Sequence, residues 1–160
     1  MARIKVQKTQ VFYFDGTAIV PVVCAKTIDL GQDSEEDVDV TCLDSDEVDT
    51  DAGQVTPGEG SLAIDFDDEN ASHLKLLELS KTVPKKTVHW YLGSSHSTAP
   101  PTVTGGVVTL PDSRTWWEYD GYLKRAAPTF EKGQHVGYSF PLKRRSSVQE
   151  TIRTIPPVTP

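Results

Sequence analysis

The residues able to do chemistry in this chain are few and scattered. Four histidines stand at His73, His89, His96 and His135, and none has the H-x-H or H-x-x-x-H spacing that places two imidazoles on one metal. Cys24 and Cys42 are too few for a disulfide scaffold and do not form C-x-x-C, so reduced thiols are expected. The run Gly93-Ser94-Ser95-His96-Ser97 sets a hydroxyl near an imidazole, yet it lacks the G-x-S-x-G pattern and does not lie between a strand and a helix. No P-loop or G-x-G-x-x-G occurs. The series Asp44, Asp46, Asp49, Asp51 has the alternation of calcium ligands but fails the EF-hand pattern, because Asp49 stands where glycine is required and Val55 where the bidentate Glu is needed. No catalytic, cofactor or metal site is therefore expected, and the chain does not read as an enzyme. Trp116, Trp117, Tyr119 and Tyr122 suit either a sugar-stacking platform or a core strand. The triplet Lys143, Arg144, Arg145 lacks the stacking aromatics of a single-strand-binding surface.

Charge is patterned where chemistry is not. The formal net charge of −7 hides a segregation. From Thr27 to Leu74 there are sixteen Asp and Glu and no Lys or Arg, whereas Lys75 to Pro160 carries twelve basic and six acidic residues. A molecule with opposite poles can associate head to tail, each acidic face meeting a neighbour's basic face. The longest apolar runs fall far short of the roughly 20 residues needed to span a bilayer, so no membrane segment is expected. The first residues, MARIKVQKTQ, have no apolar core of a secretory signal, which implies a protein made in a cytoplasm.

The elements that position these groups read as mainly β. In VFYFDGTAIVPVV, Asp15-Gly16 separates two β-prone runs and predicts a hairpin with both turn residues at positive φ. Strands are predicted at Val38–Leu43 and Ser61–Phe66, and between them the acidic stretch Leu43 to Gly60 must form a long loop or a protruding flap. A helix is predicted over about 68–81, capped by Asp67, Asp68, Glu69 or Asn70. Its leucines Leu74, Leu76, Leu77 and Leu79 spread over roughly 220° and ask for cover on more than one side. His73, inside that arc, is expected to be a hydrogen-bonded interior residue. Thr87–Leu92 is another strand, followed by a Ser/Pro/Gly-rich loop through Gly106. Arg114–Arg125 reads as one strand with Trp117, Tyr119, Gly121 and Leu123 on one face, and Gln134–Lys143 pairs with it. The fold class is an antiparallel β-sandwich or barrel with one flanking helix, a single domain over residues 1–160, with arms at about 1–8 and 146–160.

In that order the elements resemble the major tail tube proteins of bacteriophages with long, non-contractile tails. The resemblance rests on CLDSDEVDTDAG, a long loop, SLAIDFDDENASHLKLLEL, and EYDGYLKR followed by a turn and a last alternating strand. The type VI secretion tube protein is similar in fold. The resemblance implies a structural virion protein, assembled in the host bacterial cytoplasm, that forms stacked hexameric rings around a channel for DNA. It implies partners in copies of itself and in tail tip or baseplate, tape measure and tail terminator proteins, with DNA passing without sequence-specific binding. It assigns the acidic loop, with Asp44, Asp46, Glu47, Asp49, Asp51 and Glu59, to contacts between subunits and rings. Lys143, Arg144 and Arg145 are the complementary basic candidates, and Leu74, Leu76, Leu77 and Leu79 the helix-packing ones. The alternative is a β-sandwich module that binds carbohydrate or a protein partner through the Trp116 to Tyr122 aromatics.

Overall fold

The first turn shows how local chemistry sets the chain path. Strands β1 (Gln10–Phe14) and β2 (Ile19–Val22) form the expected hairpin. Only Gly16 has positive φ, at 103°, so the turn is not one with two left-handed residues. Asp15 Oδ1 instead accepts from the N–H groups of Thr17 and Ala18, each at 2.9 Å, and these donors hold its carboxyl below the usual range. The computed structural model from which these contacts come describes residues 3–154. Residues 1–2 and 155–160 of the two expected arms lie outside the described residues.

Further strands are β3 (Ala25–Asp29), β4 (Ser34–Asp39), β5 (Thr50–Thr56), β6 (Glu59–Asp65), β7 (Val88–Gly93), β8 (Thr102–Thr104), β9 (Val107–Thr109), β10 (Trp116–Leu123), β11 (Gly137–Arg144) and β12 (Gln149–Thr151). One antiparallel sheet runs β2-β1-β7-β10-β11-β6-β3, with β12 added to β10. Its two outermost strands, β2 and β3, are consecutive in the chain and joined by Val23 and Cys24, the latter at φ 57°. The sheet therefore curls until its edges meet at a seam. Helix α1 (Ala71–Lys81) closes that seam through its first turn. Ser72 Oγ accepts from Val23 N–H at 3.2 Å, and His73 Nε2 donates to Val23 C=O at 2.6 Å while its Nδ1 accepts from Asp67 N–H at 3.1 Å. The interior histidine expected at position 73 is thus a seam fastener.

The helix begins at its Asn70 cap, whose side chain accepts from Ser72 N–H, three residues later than the acidic run suggested. Its buried positions are Ser72, His73, Leu76 and Ser80. Of the four leucines only Leu76 is fully enclosed; Leu77 and Leu79 pack at the margin of the core, and Leu74 is 46% exposed. Cover on several sides is not what the fold supplies: Ser72 and His73 share the inner face because they meet the seam's backbone groups, and Ser80 Oγ donates within the helix to Leu77 O at 2.7 Å.

The core joins Val11, Tyr13, Leu62, Ile64, Trp90, Tyr119, Phe140 and Leu142. In β10 the one-strand reading holds, with Tyr119, Gly121 and Leu123 buried on the inner face and Trp117 half-buried beside them. Trp116 points to the opposite face and is 0% exposed, in a second cluster with Phe12 and Tyr91. That cluster is capped by β8 and β9, a hairpin in the segment expected to be loop. Gly105 and Gly106, at φ 59° and 78°, make its turn, and Val108 and Leu110 pack on the aromatics. A sugar platform using Trp116 is excluded by this burial. The expected C-terminal arm is also tied down in its first part. β11 pairs with Gly121–Leu123, β12 takes over at Trp116–Glu118, and residues 145–148 bulge between them.

Candidate assembly surface

The segment Asp29 to Gly60 leaves the sheet at β3 and returns at β6. Across the base of this excursion the chain comes too close for side chains. A Cβ on Gly60 would lie 1.7 Å from Asp29 O, and one on Gly31, at φ 74°, would lie 2.5 Å from Glu59 O. Asp29 Oδ1 accepts from Gly31 N–H at 2.9 Å, and Asp33 Oδ1 accepts from Gly58 N–H at 3.1 Å.

Arg144 fastens this base. Its Nε donates to Leu30 O at 2.6 Å, its Nη1 to Ser146 O at 3.1 Å, and its Nη2 to Gly31 O at 3.4 Å and to Asp33 Oδ1. One buried guanidinium therefore ties β3's exit to the bulge between β11 and β12. The Arg144 hydrogen bond, followed by the Gly58 N–H, holds the Asp33 carboxyl below the ordinary carboxylate range. Arg144 was expected to face a partner and does not, because it alternates in phase with Phe140 and Leu142 along β11, all three buried. Period-two burial in SFPLKR, with an arginine at the third inward position, was the available signal. Arg145 is exposed, its N–H bonded to Asp120 O at 2.7 Å, and Lys143 is half-buried. The basic triplet is thus divided among three surroundings.

Beyond the base the excursion is a two-stranded ribbon. β4 pairs with β5 from Ser34↔Thr56 to Asp39↔Thr50, with a bulge at Gly53. The strand expected at Val38–Leu43 thus starts earlier and ends earlier, and the eighteen-residue loop is half strand. Neither strand has a buried residue. The absent buried face is physical: SEEDVD alternates, but it puts a carboxylate on each side. At the tip, Thr41 Oγ1 accepts from Asp49 N–H at 2.8 Å and donates to Asp49 O at 3.2 Å, and Val40 N–H bonds Asp49 O at 2.9 Å. Leu43, at 108% exposure, and Val48, at 80%, project there among Asp44, Asp46 and Glu47.

Of the six carboxylates expected at subunit contacts, five lie on this flap, exposed and without an ion pair among the described residues: Asp44, Asp46, Glu47, Asp49 and Asp51. Glu59 does not join them; it sits at the base, 2.6 Å from Lys124 Nζ. The groups that invited a catalytic reading are structural. Ser94 is buried, accepts from Thr115 N–H at 3.0 Å and bonds His96 Nδ1 at 2.8 Å. His89 Nδ1 lies 2.6 Å from Asp120 Oδ1 on the sheet's outer face.

Over residues 2–154 the chain matches the family model described as phage tail tube, TTP, lambda-like. It is 25% identical over 127 residues to structural protein 3 of Pseudomonas phage PAJU2, covering 75% of this chain and 76% of that protein. Its fold is similar to a chain of the PVC sheath/tube terminator, from an extracellular contractile injection system in the extended state. That match has a TM-score of 0.65 at 10% identity and covers 94% of this chain and 98% of the other. A chain of the anti-feeding prophage baseplate, 6-fold symmetrised, also matches with a TM-score of 0.65 at 11% identity, covering 97% of this chain and 100% of that one. At such identities the likeness to the two solved structures is one of fold.

Proposed function

Because the chain belongs to the lambda-like phage tail tube family, whose members are structural proteins and not enzymes, we propose that it self-assembles into stacked hexameric rings. These rings form the tube of a long, non-contractile tail, the conduit for DNA at infection. As a phage tail protein it is a virion component; assembly in the host cytoplasm, against tail tip or baseplate, tape measure and terminator proteins, belongs to the same proposal. Residues 1–160 act in it as one tail-tube domain.

The observation that carries this reading is the flap. A two-stranded ribbon is marginally stable at best in water, and this one has no buried face, nine carboxylates without an ion pair among the described residues, and apolar residues at its tip. Burial against another copy supplies the missing cover, with Asp44, Asp46, Glu47, Asp49 and Asp51 at the contact. Arg144 holds the flap's base rather than the contact itself. The fold likeness to a chain of a six-fold symmetrised baseplate supports six copies per ring. A channel wall rich in carboxylates suits passage of DNA, since basic residues would gain affinity at every phosphate through counterion release.

Negative-stain electron microscopy of the purified chain tests the proposal. Rings or tubes are expected; a strictly monomeric protein at high concentration, with tail-tip initiators present, overturns it. Replacing Thr41–Val48 by Asn-Gly should leave a folded monomer that cannot stack, and normal tubes from that variant would remove the flap from the assembly contact.

A further inference from the structure

A cleft at the other end of the molecule has the chemistry that the flap tip lacks. It lies between the last turns of α1 and the segment after β10, has a volume of about 430 Å³, and is walled by Leu77, Ala126, Pro128 and Tyr138. Lys81 and Arg125 stand on its rim, and no carboxylate lines it. Neither base takes part in an ion pair among the described residues.

The strand register places flap and cleft apart. The flap's base is where β6 begins, at Glu59 opposite Lys143, and Tyr138 stands opposite Ile64 near the strand's other end. Six strand steps separate Glu59 from Asp65, about 20 Å at the usual rise. Because β3 pairs antiparallel with β6 and leaves it at the Glu59 end, β4 and β5 carry the tip away from the cleft. A flap attached in this way cannot fill its own cleft, but a second molecule stacked along the strand axis can fill it. The contact is heterologous, so each copy offers one tip and one cleft, and its repetition yields a filament.

We propose that the apolar, acidic flap tip of one copy, Leu43 with Asp44, Asp46 and Glu47, docks in the Lys81–Arg125 cleft of the next. This rests on the reading of the flap as an inter-subunit element and names its receptor. The leucine meets Leu77, Pro128 and Tyr138, and the tip carboxylates meet the two rim bases, a pairing that fixes polarity because tip against tip and rim against rim are both repelled.

Two measurements test it. In a Cys24→Ser background, Ala127→Cys places a thiol beside the cleft while native Cys42 stands next to Leu43 on the tip. A short bismaleimide added to the assembled protein should give a ladder of covalent multimers, and the ladder should vanish when Cys42→Ser is added. Assembled tubes with no ladder overturn the cleft as receptor. Separately, Lys81→Glu with Arg125→Glu should raise the critical concentration for assembly roughly tenfold or more, and Asp44→Lys with Asp46→Lys in the same chain should restore it. If the cleft variant assembles like the unmodified chain while the Asn-Gly flap variant does not, the flap keeps its role and this receptor is wrong. If both assemble normally, the inter-subunit reading of the flap fails as well. Circular dichroism of each variant guards the comparison, and the crosslinking test is independent of the charge reversals.

Discussion

Among the described residues two hairpins lie outside the main sheet, and they behave in opposite ways. The one formed by β8 and β9 turns at Gly105-Gly106 and lies back on the sheet, where Val108 and Leu110 cover Phe12, Tyr91 and Trp116. The one formed by β4 and β5 is longer, carries carboxylates on both sides and has no buried residue. Pairing is antiparallel in both, so backbone hydrogen bonding does not decide the outcome. What decides it is whether a strand has an apolar side free of charge. TVTGGVVTL offers such a side and completes a core, whereas SEEDVD cannot be buried on either face without desolvating charge. The first hairpin belongs to the stability of the monomer and the second to the surface the monomer presents.

The largest expected effect breaks the first hairpin's contact. Trp116→Ala removes a ring that is fully buried, tilted against Phe12 at a centroid distance of 5.9 Å and edge-on to Tyr91 at 6.5 Å. Chemical denaturation should show a loss of about 3–5 kcal/mol, the usual range for a large aromatic truncated in a core. A loss below about 1 kcal/mol would mean that β8 and β9 do not seal this cluster. Carbohydrate binding through Trp116, the alternative use of these aromatics, needs an exposed ring and is inconsistent with the same burial.

An intermediate effect belongs to the joint between flap and barrel. Arg144→Met strips the partner from Asp33 and from the carbonyls of Leu30, Gly31 and Ser146. With Asp33 still partly open to water, a loss of about 2–3 kcal/mol is expected. The same joint is sensitive to acid. Asp33 has its carboxyl lowered in the folded chain, so its contribution is fully present above the ordinary carboxylate value of about 3.9 and fades as pH falls through the lower folded value. Hydrogen-exchange protection of the Gly58 amide, which donates to Asp33, should therefore decline at acidic pH in the unmodified chain. In Asp33→Asn that decline should disappear. Protection that is flat with pH in the unmodified chain would show that Asp33 does not carry the joint.

These regions also differ in how far the sequence revealed them. The β-rich fold, the helix, the β1–β2 hairpin and the one-strand reading of β10 were legible because each depends on local periodicity or a turn pair. Gly105-Gly106 between TVT and VVT was an equally local signal that the surrounding prolines and serines obscured. The seam fastening by Ser72 and His73 was not legible, since it depends on where the sheet's two edges meet. Arg144 was half legible: its phase with Phe140 and Leu142 marks it as inward, but nothing local names Asp33, more than a hundred residues earlier, as its partner. The acidic tip was legible as a surface because charge without an apolar face leaves a segment no place in its own core.

The smallest expected effect is the sharpest test of the contrast. Leu43→Ser with Val48→Ser removes the two most exposed apolar side chains of the flap tip, both lacking any place in the buried clusters. The monomer's unfolding free energy should change by no more than about 0.5 kcal/mol, as for surface residues without special contacts, while stacking weakens. Equal substitutions in the capping hairpin, at Val108 and Leu110, would instead be felt by the monomer, because those side chains cover Phe12, Tyr91 and Trp116. A loss above about 1 kcal/mol from the tip substitutions would mean that the flap folds onto its own barrel in solution. The contrast between a hairpin that completes the monomer and one that awaits a neighbour would then fail at its foundation.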